Sequence, residues 1–162
     1  MSSTTTATTT TPGTPAFLSD WAPRLLSVLR IMAALLYMAH GTQKLLGFPA
    51  MPGGRPMPEL LTLQGVSGIL ELVLGVLLVL GLFTRPAAFV ASGHMAFAYF
   101  IGHAPRNFFP ALNGGDAAIL FCFVFLYLAA AGPGPWSLDA FSPAGTRFPN
   151  TARMPAGLKV FL

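Results

Sequence analysis

Residues 60–84 read LLTLQGVSGILELVLGVLLVLGLFT, a run in which Glu71 is the single ionisable side chain. The run is about as long as a bilayer crossing requires. A carboxylate near its midpoint is costly in hydrocarbon unless it is paired or neutralised. The run therefore predicts a chain that resides in a membrane and a neighbouring segment that shelters Glu71.

Composition points the same way. Hydrophobic residues make up 54% of the 162 and charged residues only 9%, with a mean hydropathy of +0.66. Soluble domains carry about a quarter charged residues, so this chain lacks the means to cover a water-facing surface. Its length fits one domain. The net charge of +4 comes from nine Lys and Arg scattered between apolar runs. That spacing suits helix ends beside anionic headgroups and argues against nucleic acid, which would need a basic cluster. The lone cysteine, Cys122, excludes an internal disulfide and a CxxC redox pair, and reads as a buried structural thiol.

Working outward, four apolar spans emerge: residues 24–40 with an extension to 46, 60–83, 86–102 and 116–131. Pro49, Pro52, Pro56 and Pro58 forbid regular helix between the first two. Thr84-Arg85-Pro86 reads as a tight turn, with Pro86 opening the third span. Asp116 starts the fourth, its acid on the positive end of the helix dipole, and Gly132-Pro133-Gly134-Pro135 stops it. The expected fold class is all-α, an integral membrane four-helix bundle over residues 17–140. Residues 1–16 form a Thr-rich leader of disordered composition, and residues 141–162 form a tail. A soluble all-α core is excluded because the second and fourth spans lack a charged outer stripe.

An even number of spans puts both termini on one side. Arg24, Arg30, Arg85, Arg147, Arg153 and Lys159 lie on the side of the termini and the middle turn, whereas Lys44, Arg55 and Arg106 lie with the longer loops. The positive-inside rule then predicts cytoplasmic termini.

At about 100° per residue, Arg30, Tyr37, His40 and Lys44 share one face of the first span. Gly65, Gly68, Glu71 and Gly75 share a face of the second, a small-residue face suited to close helix packing. Depth counting places Arg30 within reach of Glu71, and an Arg–carboxylate pair is the expected shelter. His94 falls mid-span in the third segment. His40, Lys44 and His103 are expected near the outer surface, with Arg106, Asn107 and Asp116 close by, as a mostly cationic cluster suited to an anion, a quinone carbonyl or a thiol-oxyacid. Haem would need paired axial histidines such as His40 and His103, whose place at span ends argues against it. No metal site is expected, since the chain holds three histidines and His94 lies deeper than the others. Nucleophile elbows, phosphate loops and dinucleotide fingerprints are absent from the sequence.

These residues carry a family resemblance. Arg30 leading to His40-Gly41-Thr42-Gln43-Lys44, and Gly68-Ile69-Leu70-Glu71-Leu72-Val73-Leu74-Gly75 running to Gly81-Leu82-Phe83-Thr84-Arg85, resemble the DoxX-like membrane proteins. His103 followed by Asn107-Phe108-Phe109 and Asn113-Gly114-Gly115-Asp116, then Gly132-Pro133-Gly134 and Ser137-Leu138-Asp139, is similar to that family's third loop and ending. The likeness spans about residues 24–139. It implies a four-helix inner-membrane protein, in a family that includes a subunit of an archaeal thiosulfate:quinone oxidoreductase and a component of a bacterial oxidative-stress membrane complex. By position it carries over Arg30, Lys44, Glu71, Arg85, His103, Asn107 and Asp139; His94 and Asp116 stand outside it.

The functional expectation is a membrane subunit that binds a quinone or similar small amphipathic molecule through Arg30, His40, Lys44, Glu71, His94, His103 and Asn107. It would lack a redox centre of its own and work with a partner oxidoreductase subunit or as a homodimer. The alternative is a non-catalytic assembly or scaffold partner in which an Arg–Glu clamp is structural. A small transporter is a third reading, against which no inverted repeat is visible.

Overall fold

The structure is a computed structural model that describes residues 16–54 and 56–141; these residues are helical or irregular, with no strand among them. Helix α1 spans Ala16–Leu46, α2 Leu63–Leu80, α3 Thr84–Ala98, α4 Pro110–Asn113 and α5 Asp116–Ala131. Short 3-10 turns occupy Pro52–Gly54 and Leu138–Ala140, and α3 continues into a widened π turn, Tyr99–His103. The expectations for residues 1–15 and 142–162, including Arg147, Arg153 and Lys159, fall outside the described residues, as does Arg55.

Among the described residues, two helices are long and apolar enough to cross a membrane: Asp20–Leu46 of α1, with mean hydropathy 1.4, and Leu63–Leu80, with 2.2. Asp116–Ala131 is equally apolar in character but shorter. Helix α1 starts ahead of the expected Arg24 and runs through Pro23. Helix α2 starts later than its apolar run because Thr62 caps it, its hydroxyl accepting the Gly65 N–H at 3.2 Å. Gly81 ends α2 at φ 67°, a left-handed conformation that glycine adopts without steric cost.

The tight turn lies one step earlier than expected. Helix α3 already begins at Thr84, so Pro86 sits inside its first turn. The cause is remote in sequence: the Asp139 carboxylate accepts the N–H groups of Phe83 and Thr84 at 2.9 and 2.8 Å. An acid on the positive end of a helix supplies the missing cap. In the loop after α3, Pro110 opens the single turn of α4, a position where its missing N–H costs nothing.

Helix α1 lies along α2, and α3 along α5; α2 also meets α3, and α5 meets α1. The shared core is built from Ala33, Ala34 and Tyr37 of α1, Leu78 of α2, and Phe125 and Leu128 of α5, with three alanines of α3 between them. Small residues let the backbones approach. A Cβ on Gly41 would sit 2.7 Å from the Leu72 nitrogen and 2.9 Å from the Gly68 oxygen, and one on Gly75 would meet Met38 at 2.7 Å. The glycine face expected on α2 is therefore the face that meets α1.

Polarity is inverted relative to a water-soluble domain. Arg30 and Glu71 are 0% and 3% exposed, whereas Leu36, Phe89 and Phe123 are 57%, 64% and 65% exposed. An apolar exterior around buried charges is stable in lipid and aggregates in water.

Candidate functional site

Antiparallel packing of α1 on α2 fixes which side chains meet. Gly41 faces Leu72, Met38 faces Gly75, and the Arg30 guanidinium reaches Gly81. Arg30 therefore lies roughly ten residues, or ~15 Å, along α2 from Glu71. The expected Arg30–Glu71 pair does not form, because no arginine side chain spans that gap. The sequence-based estimate of depth had set the two helices in the wrong register.

Arg30 instead stitches backbone. Its Nη1 donates to the carbonyls of Leu78 and Val79 (2.9 Å to Val79), Nε to Pro133 at 2.8 Å, and Nη2 to Trp136. The guanidinium charge is held by the negative end of α2 and by the segment that follows α5. Close by, Arg85 Nη1 donates to Ala129 and Ala130 at the end of α5, at 2.9 and 2.6 Å, and Ser27 Oγ accepts the Trp136 N–H at 3.1 Å. This end of the molecule is framework.

Glu71 finds its cation toward the opposite end of α1. Lys44 Nζ donates to both its carboxylate oxygens, at 2.6 and 2.8 Å, and to Ser67 Oγ at 2.9 Å. Ser67 lies one turn before Glu71 on α2, and its Oγ is 3.2 Å from Oε1. His94 Nε2 is 3.0 Å from the same Ser67 oxygen, while its Nδ1 is 2.8 Å from Tyr37 Oη. Three helices thus contribute to one continuous polar chain: Tyr37, His94, Ser67, Glu71 and Lys44.

Donor counting assigns its direction. An ionised carboxylate only accepts, so Ser67 gives its single proton to Glu71. Ser67 must then accept from both Lys44 and His94. His94 is then protonated at Nε2, and as a neutral imidazole it accepts from the Tyr37 hydroxyl at Nδ1. Every donor is spent inside the chain, including the three ammonium protons of Lys44. Buried Tyr37 forms a blind end, so the chain does not continue across the molecule.

Beside this network, α2 and α3 part to form a cleft of about 420 Å³. Leu63, Val66, Leu70, Phe97 and Ile101 supply apolar walls; Lys44, Ser67 and His94 lie along one side, and Gln64, His103 and Arg106 also line it. Such a volume lies at the small end of ligand sites. His103 is positioned by its Nδ1–H, which donates to the Asn113 carbonyl at 3.1 Å.

Of the residues expected at a ligand site, Lys44, His94 and His103 line the cleft, and Glu71 stands behind Lys44. Three stand elsewhere. Arg30 belongs to the framework. His40 is exposed and meets the edge of Phe121, ring centroids 6.4 Å apart. Asn107 shapes its own turn, its Oδ1 accepting the Phe109 N–H at 2.9 Å. Sequence reasoning missed Ser67 and Gln64. The signal for Ser67 was a hydroxyl four residues before Glu71, the spacing that stacks side chains on one helix face. Among the described residues, no group of three or more His, Cys, Asp or Glu forms a metal site.

A family model described as DoxX matches residues 25–104, from α1 through the π turn after α3. A protein of Haemophilus influenzae carrying no functional name is 44% identical over 129 residues, which cover 75% of this chain and 93% of the relative. The inner membrane protein YphA of Escherichia coli is 32% identical over 127 residues, covering 72% of this chain and 89% of that protein. A membrane protein of Mycobacterium tuberculosis is 26% identical over 144 residues, with 79% and 87% covered. No solved structure matches the chain significantly.

Proposed function

The chain belongs to the DoxX family of membrane proteins, and from that premise we propose that its α2–α3 cleft binds a quinone or similar small amphipathic molecule. The observation that carries the reading is the cleft itself: apolar walls with a few convergent polar groups, beside a fixed hydrogen-bonded chain. That is the make-up of a site for a molecule that is largely hydrocarbon with one polar end. In this reading α1, α2, α3 and α5 form a multi-pass four-helix bundle in a bacterial inner membrane, with both termini cytoplasmic and residues 17–140 as the membrane domain. The membrane-protein names of two relatives support that placement.

The chain's own residues bind and orient. Phe97 and Ile101 pack against the hydrocarbon part, while Lys44, Ser67 and His94 hold one wall of the cleft in one geometry. A bound quinone would supply electron-carrying chemistry, which a partner oxidoreductase subunit would use.

The test is titration of the purified full-length protein in lipid nanodiscs with a short-chain quinone analogue, followed by intrinsic fluorescence. Saturable binding that Leu70→Trp abolishes supports the reading. Binding that never saturates, or is equal in the variant, overturns it.

A second reading has its own support, the saturation of the Lys44–Glu71–Ser67 cluster by its own members. A self-satisfied clamp between α1 and α2 suits a structural partner of a larger membrane complex. In that case Glu71→Gln lowers stability and recovery of the complex while quinone binding is absent from the native protein as well.

A further inference from the structure

Hydrogen-bond accounting in the cleft separates spent groups from available ones. Along the inner side, the protons of Lys44, Ser67, His94 and Tyr37 are all committed to one another or to Glu71. A ligand placing its polar end there gains no donor without breaking an existing bond. Other lining groups are uncommitted. Among the described residues, the Arg106 and Gln64 side chains make no hydrogen bond or ion pair. His103 donates through Nδ1, so the Nε2 of its singly protonated ring holds a lone pair and offers a ligand no donor.

Charge accounting follows the same division. Glu71 neutralises Lys44, and among the described residues no carboxylate lines the cleft. Asp139 is committed to the start of α3 at the far end of the molecule. Among the described residues, Arg106 is thus an exposed cation without a carboxylate partner on a cleft whose walls are largely apolar. A guanidinium favours planar oxyanions, which it binds through paired N–H groups.

Resting on the reading that the cleft holds an amphipathic molecule, we infer that its occupant is a single-chain amphiphile with an ionised carboxylate head. The head sits against Arg106 and the Gln64 amide, and the chain lies against Leu70, Phe97 and Ile101. At about 420 Å³ the cleft has room for one acyl segment. Ser67 and Lys44 then act as a fixed wall.

The experiment uses the full-length protein in nanodiscs and two photoreactive probes of equal chain length, a diazirine fatty acid and the matching fatty alcohol. Labelled residues are located by mass spectrometry, alongside a photoreactive short-chain quinone. The expected result is saturable labelling of Phe97 and Ile101 by the acid, about tenfold weaker for the alcohol. A similar weakening is expected for the acid on Arg106→Gln, and none on Arg24→Gln, a substitution of an exposed cation away from the cleft. Arg106 is exposed, and circular dichroism of Arg106→Gln checks that the variant folds. Equal labelling by acid and alcohol, or undiminished labelling of Arg106→Gln, overturns the inference. So does displacement of the acid by millimolar inorganic phosphate, which would make the site one for free anions. Saturable quinone labelling of the cleft without acid labelling overturns this inference and leaves the cleft reading standing; failure of every probe to saturate overturns both.

Discussion

Lys44 and Glu71 close the interface between α1 and α2 with a two-pronged ion pair, the ammonium nitrogen 2.6 and 2.8 Å from the two carboxylate oxygens. Both belong to the sequence motifs that mark the family resemblance, and each brings a costly charge into an apolar interface. Their pairing explains why an apolar helix tolerates an acid at that depth. It also presents Lys44 and Ser67 to the cleft beside them.

Breaking this pair from one side should hurt more than removing it. Glu71→Gln leaves an ammonium facing an amide, with a cost of about 1–2 kcal/mol, typical of interhelical polar contacts in membranes. That falls short of the about 3–5 kcal/mol of a fully dry pair, since the Lys44 side chain is 21% exposed. The double variant Lys44→Met/Glu71→Leu should recover most of the loss. Thermal unfolding in one detergent, across the four-member mutant cycle, checks the sign and size of the coupling.

Arg30→Lys should loosen the framework end and leave the cleft alone. A lysine offers three donors from one point and cannot span the carbonyls of Leu78, Val79, Pro133 and Trp136. Each charged hydrogen bond lost costs about 1.5–3 kcal/mol. Hydrogen exchange should quicken in residues 132–141, while labelling of Phe97 and Ile101 by an amphipathic probe stays as in the native protein.

Gly41→Ala and Gly93→Ala, the same change on two helices, should act in opposite directions. At Gly41 the new methyl meets the backbone of Leu72 and Gly68, which cannot yield without parting α1 from α2. Overpacking of this kind costs about 1–3 kcal/mol. At Gly93 nothing lies within 4 Å, and replacing a mid-helix glycine gains about 0.5–1 kcal/mol. Melting temperatures of the two variants should straddle that of the native chain.

Ser67→Ala should release the His94 tautomer. The native chain fixes the imidazole proton on Nε2 because Ser67, whose own proton goes to Glu71, can only accept there. Without that acceptor the ring can donate through Nδ1 to the Tyr37 hydroxyl instead, so the Nδ1–H form is no longer disfavoured. Nitrogen-15 NMR of histidine-labelled protein, with the His94 signal assigned by its loss in His94→Gln, should show one tautomer at His94 in the native protein and a mixture in Ser67→Ala.

Much of this was legible in the sequence, for identifiable reasons. Hydropathy and proline placement located the long helices to within a few residues, apart from the start of α1 at Ala16, well ahead of Arg24, because span length and helix-breaking chemistry are local properties. The glycine face of α2 was legible because helical periodicity puts Gly68 and Gly75 on one side. Register between helices was not, and it misassigned the partner of Glu71. Lys44 meets Glu71, and Arg30 meets the end of α2, only because α1 packs antiparallel with Gly41 against Leu72. The early start of α3 was hidden for a similar reason, its cap coming from Asp139, far along the chain. Ser67 escaped notice because a serine in an apolar helix carries no motif of its own.

The most direct test of the central claim, that the cleft between α2 and α3 holds an amphipathic molecule, is native mass spectrometry of the full-length protein ejected from a mild detergent. The account predicts a reproducible small-molecule adduct on the native chain that disappears in Leu70→Trp, a substitution that fills the cleft. Identical adduct patterns on native and Leu70→Trp protein, or none on either, would contradict it.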